Sequence, residues 1–154
     1  MSMKQVVAGQ YRENVNAARK KLVGLHTPSE GWLRSTRKAL GMSGAQLARR
    51  IGITRGAISN VEKAELDGGV TIKTMQQMAA AMKCNFVYAI VPEEDIEKII
   101  GRRAQERAHE LVKRASVHMA FENQSLSKEL LKAEITRVGK ELLEKRTSEL
   151  WNDD

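Results

Sequence analysis

The chain has 154 residues, 42 % of them apolar and only 4 % aromatic, with 26 Lys and Arg against 19 Asp and Glu for a net charge of +7. That length suits one compact domain, or a small domain with a sizeable extension, and the composition suits a helical core of Leu, Ile, Val, Ala and Met. A single cysteine, Cys84, excludes an intrachain disulfide frame and a zinc cluster of cysteines.

The charge is unevenly spread. Residues 1–30 carry five bases and two acids, residues 31–92 nine bases and three acids, and residues 93–154 twelve bases and fourteen acids. A polyanion-binding region joined to a segment with another task fits this split. Lys4, Arg12 and Glu13 interrupt any apolar core of a signal peptide, and no stretch is long enough to span a bilayer, so a reducing cytoplasm is expected.

In chain order, Val6, Val7, Tyr11, Val15, Ala18, Leu22 and Leu25 recur at helical spacing and predict a helix over 3–25. Pro28 and Gly31 break it, and Thr27 or Ser29 can cap a second helix over about 30–40. Ser43 caps a third helix to Ile51, Gly52 stops it, and Thr54 caps a fourth to about Lys63. Thr71 opens a fifth helix to about Lys83, with Met75, Met78 and Met82 on one face.

The stretch "NFVYAIVP" is β-branched and aromatic and predicts a strand over 85–91. A lone strand in a helical protein has a bare edge, and the simplest repair is pairing with its own copy in a homodimer. Long helices over about 93–122 and 127–150 follow, separated by a break at 123–125. The expected fold is thus mainly α. An N-terminal helix (1–30) precedes a helix-turn-helix domain with its dimerising strand (31–92) and a C-terminal helical region for partner binding or oligomerisation (93–154).

The run "GMSGAQLARRIGITRGAISNVEK" places two short amphipathic helices on either side of Gly52, the arrangement of a helix-turn-helix. Leu47, Ala48 and Ile51 give the first a buried face, and Ile58 and Val61 give the second one. Arg55, Gly56, Ser59 and Asn60 fall opposite, with no acid among them. Arg suits guanine O6 and N7, and Asn suits adenine N6 and N7. Arg37 to Lys63 holds six bases and one acid, as expected of a surface on phosphates. Solvated charges on an ordinary helical domain are the bland alternative.

Residues 31–83 resemble the λ-repressor-like (XRE-type) helix-turn-helix family through the spacing of Leu40, Ser43, Leu47, Ala48, Gly52, Ile58 and Glu62. The resemblance implies a DNA face of Thr54, Arg55, Gly56, Ser59 and Asn60, with Arg37, Arg49 and Lys63 as phosphate contacts. Gly44 stands where the family often has a phosphate-reaching Gln, so a backbone N–H at that helix start takes the task. The implied partner is double-stranded operator DNA, with no cofactor.

The flanks "GWLRSTRKALGMS", "TIKTMQQMAAAMKCNFVYAIVP" and "HMAFENQSLS" resemble the small helix-turn-helix proteins called mobile mystery protein A, encoded beside a Fic-domain protein. That resemblance implies an antitoxin that neutralises a Fic-type toxin and represses their shared operon; the alternative is a stand-alone phage or mobile-element repressor. Fic antitoxins block ATP with a helix bearing Ser/Thr-x-x-x-Glu-Gly/Asn. Here "HMAFEN" supplies Glu122 and Asn123, but His118 replaces the hydroxyl residue. His118 and Glu122 share a helix face at i, i+4, and Glu122 would pair with the toxin's arginine. No nucleophile triad, phosphate loop or carboxylate pair is visible, so no catalysis is expected.

Overall fold

The computed structural model describes the backbone over residues 1–121 and 127–153, and the side chains over 1–118 and 127–153. Among these residues the chain forms α1 (Met3–Leu22), α2 (Trp32–Ala39), α3 (Gly44–Ile51), α4 (Arg55–Asp67), α5 (Ile72–Ala81), α6 (Ile96–Phe121) and α7 (Lys128–Lys145), with a 3-10 turn at Thr147–Glu149. The chain divides into two compact units. One is contiguous, Gly24–Ala89; the other joins Met1–Val23 to Ile90–Asp154. The N-terminal helix and the C-terminal region thus share a unit.

In the contiguous unit, α2–α5 close around Leu33, Leu47, Ala48, Ile58, Met75, Met78 and Met82. The methionine stripe of α5 is core, filling the space between helices with flexible thioethers. Local chemistry sets most helix starts. Ser43 accepts the Gln46 amide at 3.1 Å while its own N–H donates to Gln46 Oε1 at 2.8 Å, a reciprocal cap on α3. Thr54 and Thr71 accept the Ala57 and Thr74 amides, both at 3.1 Å.

The start of α2 differs from expectation. The Gly31 N–H donates to the Pro28 carbonyl at 2.9 Å, and this turn makes Gly31 the N-cap, without any capping side chain of its own. Neither Thr27 nor Ser29 caps the helix, which begins at Trp32.

After α5, Lys83 takes φ 59°, a left-handed conformation that costs a side-chain-bearing residue about 1 kcal/mol. Lys83→Gly is therefore expected to stabilise the unit by about 0.5–1 kcal/mol, read as a rise in denaturant midpoint at unchanged slope.

The strand expected over 85–91 is not found among the described residues. No backbone group of 85–92 hydrogen-bonds to another described backbone group. Phe86 packs on the core, while Val87, Tyr88 and Ile90 are 79 %, 66 % and 89 % exposed. β-propensity acts through cross-strand neighbours, and the described residues offer the segment no second edge.

In the other unit, α6 and α7 pack through Ala104, Ala108 and Leu142, with Leu150 beyond α7 completing the cluster. The approach is close at Gly139, where a Cβ would stand 2.8 Å from Gln105 Nε2 and 3.7 Å from Ala108 Cβ. Arg103 draws the chain end onto α6. Its Nε donates to the Leu150 carbonyl at 2.6 Å, and its guanidinium lies 5.9 Å from the Trp151 ring centroid.

Within the same unit α1 serves α6. The Ile96 N–H donates to Asn16 Oδ1 at 2.9 Å, and Asn16 Nδ2 donates to Glu97 at 2.8 Å. Arg19 donates to the Glu93 carbonyl at 3.2 Å. The α6 N-terminus is thus held by side chains from a helix some eighty residues away. No residue of α1 is fully buried. No helix among the described residues is long and apolar enough to cross a membrane.

Candidate nucleic-acid interface

The α3–turn–α4 segment is built by Gly52. It sits at φ 82°, ψ 33°, a left-handed C-cap, and both its N–H and that of Ile53 donate to the Ala48 carbonyl, at 2.8 and 3.0 Å. A residue with a Cβ reaches that conformation only with strain. Leu47 and Ala48 are buried on α3 and Ile58 on α4, so the two helices cross on small and branched apolar side chains.

This packing decides which side of α4 meets solvent. Ile58, Val61, Glu62 and Glu65, spaced i, i+3, i+4 and i+7, turn inward as buried or half-buried positions. Thr54, Arg55, Gly56, Ser59, Asn60 and Lys63 are all exposed. They form a ridge of one or two donors per turn with no acid on it. Arg49 is exposed on α3. Gly44 is the first residue of α3, and a Cβ there would meet only Arg55 Cγ at 3.9 Å and Ile58 Cγ2 at 4.0 Å. The start of α3 therefore lies open beside the Arg55 stem.

Arg37 belongs elsewhere. Expected as a phosphate contact, it is 13 % exposed and its whole fork is engaged. Nε and Nη2 donate to the two Glu62 oxygens at 2.6 and 3.0 Å, and Nη1 donates to the Met42 carbonyl at 3.0 Å. Hydrogen bonding to Glu62 raises the guanidinium pKa further and keeps the charge fixed. Arg37 is an internal strut between α2 and α4, with each of its three nitrogens engaged inside the protein.

Two other acids near the ridge are also committed. Glu65 accepts the Trp32 N–H at 2.6 Å and the Leu33 N–H at 3.0 Å, supplying from α4 the cap that α2 lacks. Glu30 accepts from Lys38 Nζ at 2.8 Å and lies 3.8 Å from Arg34. The hydrogen bond from Lys38 is the main cause holding its carboxyl below the usual range. A polar cleft beside the ridge is lined by Arg34, Gly44, Arg55, Ser59 and Lys63, together with Glu30. Arg34 and Glu65 were not singled out by the sequence.

His118 stands exposed in the last turn of α6. Glu122 and Asn123, its expected companions, lie outside the described residues. Among the described residues no group of three or more His, Cys, Asp or Glu side chains is placed to hold a metal ion.

A glycine-hinged helix pair with an outward cationic ridge defines the class of helix-turn-helix domains, the DNA-binding modules of transcription regulators. Residues 33–88 match the family model described as helix-turn-helix. That match runs from the first turn of α2 through the segment after α5, and so contains the ridge. No curated protein and no solved structure gives a significant match to the chain.

Proposed function

We propose that this chain is a sequence-specific transcriptional repressor that binds operator DNA as a homodimer through α3 and α4. One observation carries the reading: every inward acid of α4 is consumed by α2, while Arg55, Ser59, Asn60 and Lys63 face solvent together. Arg55 and Asn60 have the donor and acceptor sets that discriminate guanine and adenine in a major groove. Arg49, Lys63 and the open α3 start suit the flanking phosphates. An electrophoretic shift with the DNA upstream of the gene tests this; no shift at low salt, with full-length folded protein, rejects it.

The dimer reading rests on residues 87–91. Val87, Tyr88 and Ile90 are exposed beside backbone groups that no described backbone group satisfies. Pairing two copies of this segment would cover both deficits at once. Ile90→Asp is expected to give a monomer by sedimentation and to weaken operator binding by about 100-fold or more, as the second half-site contact is lost. A wild-type chain that sediments as a monomer at binding concentrations contradicts the dimer.

The narrower role is the antitoxin of a Fic-type pair. It rests on the resemblance of the flanks and of "HMAFEN", in which Glu122 would compete with a nucleotide phosphate for the toxin's arginine. Co-expression with the neighbouring reading frame checks it. Recovery of a Fic-domain partner with the chain, and release of nucleotide transfer by Glu122→Gly, are the expected results. A chain that arrives alone supports the stand-alone repressor instead.

A further inference from the structure

The residues that α4 turns inward include the apolar Ile58 and Val61 and two carboxylates, Glu62 and Glu65. Apolar packing chooses which face of α4 turns inward, but the hydrophobic effect itself is non-directional. Hydrogen bonds set rotation and axial position more finely, because they weaken steeply with angle and distance. Glu62 binds the guanidinium of Arg37, so its tie to α2 runs through the rotatable bonds of a long side chain. Glu65 is different. Its two oxygens accept the Trp32 and Leu33 amides, groups built into the axis of α2.

Gly31 matches this arrangement. It has φ 81°, and a Cβ there would stand 2.7 Å from Glu65 Oε2 and 3.0 Å from Glu65 Cδ. The carboxylate occupies the space of the missing side chain. The negative group also sits at the positive end of α2, which strengthens the bond.

We infer that Glu65 is a positioning residue for DNA reading. By fastening the C-terminal half of α4 to the first turn of α2, it sets the rotation and register at which Arg55, Ser59 and Asn60 meet base edges. This rests on the DNA-binding reading above. Glu65 itself touches no DNA; it is half-buried on the inward stripe. Its loss acts on base discrimination, which needs aligned donors, more than on phosphate attraction, which tolerates a tilt.

The test uses full-length protein and two duplexes. One is recovered by selecting the wild-type chain against a random-sequence duplex pool; the other is a scrambled duplex of equal length and composition. Binding to both is measured by fluorescence anisotropy at a temperature where circular dichroism shows each variant folded. Glu65→Ala is expected to lower the ratio of selected to scrambled affinity by about tenfold, the scale of one mismatched base pair. Glu65→Gln keeps one acceptor and is expected to fall between Glu65→Ala and wild type, and it carries the test if Glu65→Ala does not fold. Met82→Ala, a cavity in the same unit's core that leaves both Glu65 hydrogen bonds in place, controls for lost stability and is expected to leave the ratio unchanged.

An unchanged ratio in both Glu65 variants, or an equal fall in Met82→Ala, overturns the positioning role while leaving DNA binding intact. A wild-type chain that selects no preferred duplex overturns the DNA-binding reading, and this inference with it.

Discussion

Arg37→Ala is expected to destabilise the helix-turn-helix unit by about 3–5 kcal/mol, because it leaves the Glu62 carboxylate buried without its counter-charge. Glu62 is 8 % and Arg37 13 % exposed at the side chain, and their fork is bidentate. Removing either partner strands a desolvated charge, so Glu62→Ala is expected to cost a similar amount. The double replacement Arg37→Met with Glu62→Leu removes both charges and restores apolar volume. Its expected cost is well below the sum of the two singles, a coupling that a double-mutant cycle in urea reads directly. Single variants costing under about 1 kcal/mol would mean that water reaches the pair and screens it. As Arg37 also holds the Met42 carbonyl, at 3.0 Å, its loss is expected to loosen the loop that leads into Ser43.

Salt dependence is the second large effect. A dimer whose Arg49, Lys63 and α3 starts neutralise about 6–10 phosphates is expected to lose about 10³- to 10⁵-fold in duplex affinity between 50 and 200 mM salt. Within that, the ridge residues separate by role. Arg49→Ala, which removes one phosphate contact from each half-site, is expected to weaken every sequence alike and to reduce the salt slope by about two units. Arg55→Ala is expected to cost about 1–3 kcal/mol per half-site on the preferred sequence, and far less on a scrambled one, because it removes a bidentate base contact from each. Titrations at four salt concentrations on both duplexes distinguish these outcomes. Parallel losses for the two variants would mean that Arg55 touches only phosphate.

The sequence carried the helix pair clearly because its signals are local. Ser43, Gly52 and Thr54 each act on amides or torsions within four residues, and their spacing survives in any tertiary setting. The outward set on α4 followed from the inward stripe for the same reason. What stayed hidden depends on partners far along the chain. Arg37 reads as one more surface cation until Glu62, 25 residues on, is brought to it. Glu65 looks like a solvated acid until the bare start of α2, 33 residues earlier, is laid against it. The segment 85–91 has strand propensity, but a ladder is a property of two edges, and among the described residues no partner edge meets it. The tie of α1 to α6 spans 80 residues, which no helical period can report.

That last tie has a consequence during synthesis. Asn16 leaves the ribosome long before Ile96, and at about 5–20 residues per second the wait is roughly 4–16 s. The intervening residues, Gly24–Ala89, form a contiguous unit able to close while translation continues. Throughout that interval α1 carries Val15, Ala18 and Leu22, half-buried in the finished unit, with its docking helix still unmade. A nascent chain stalled before residue 96 would thus display a finished helix-turn-helix behind an unsheltered leading helix, a natural handle for chaperones or proteases that survey incomplete products.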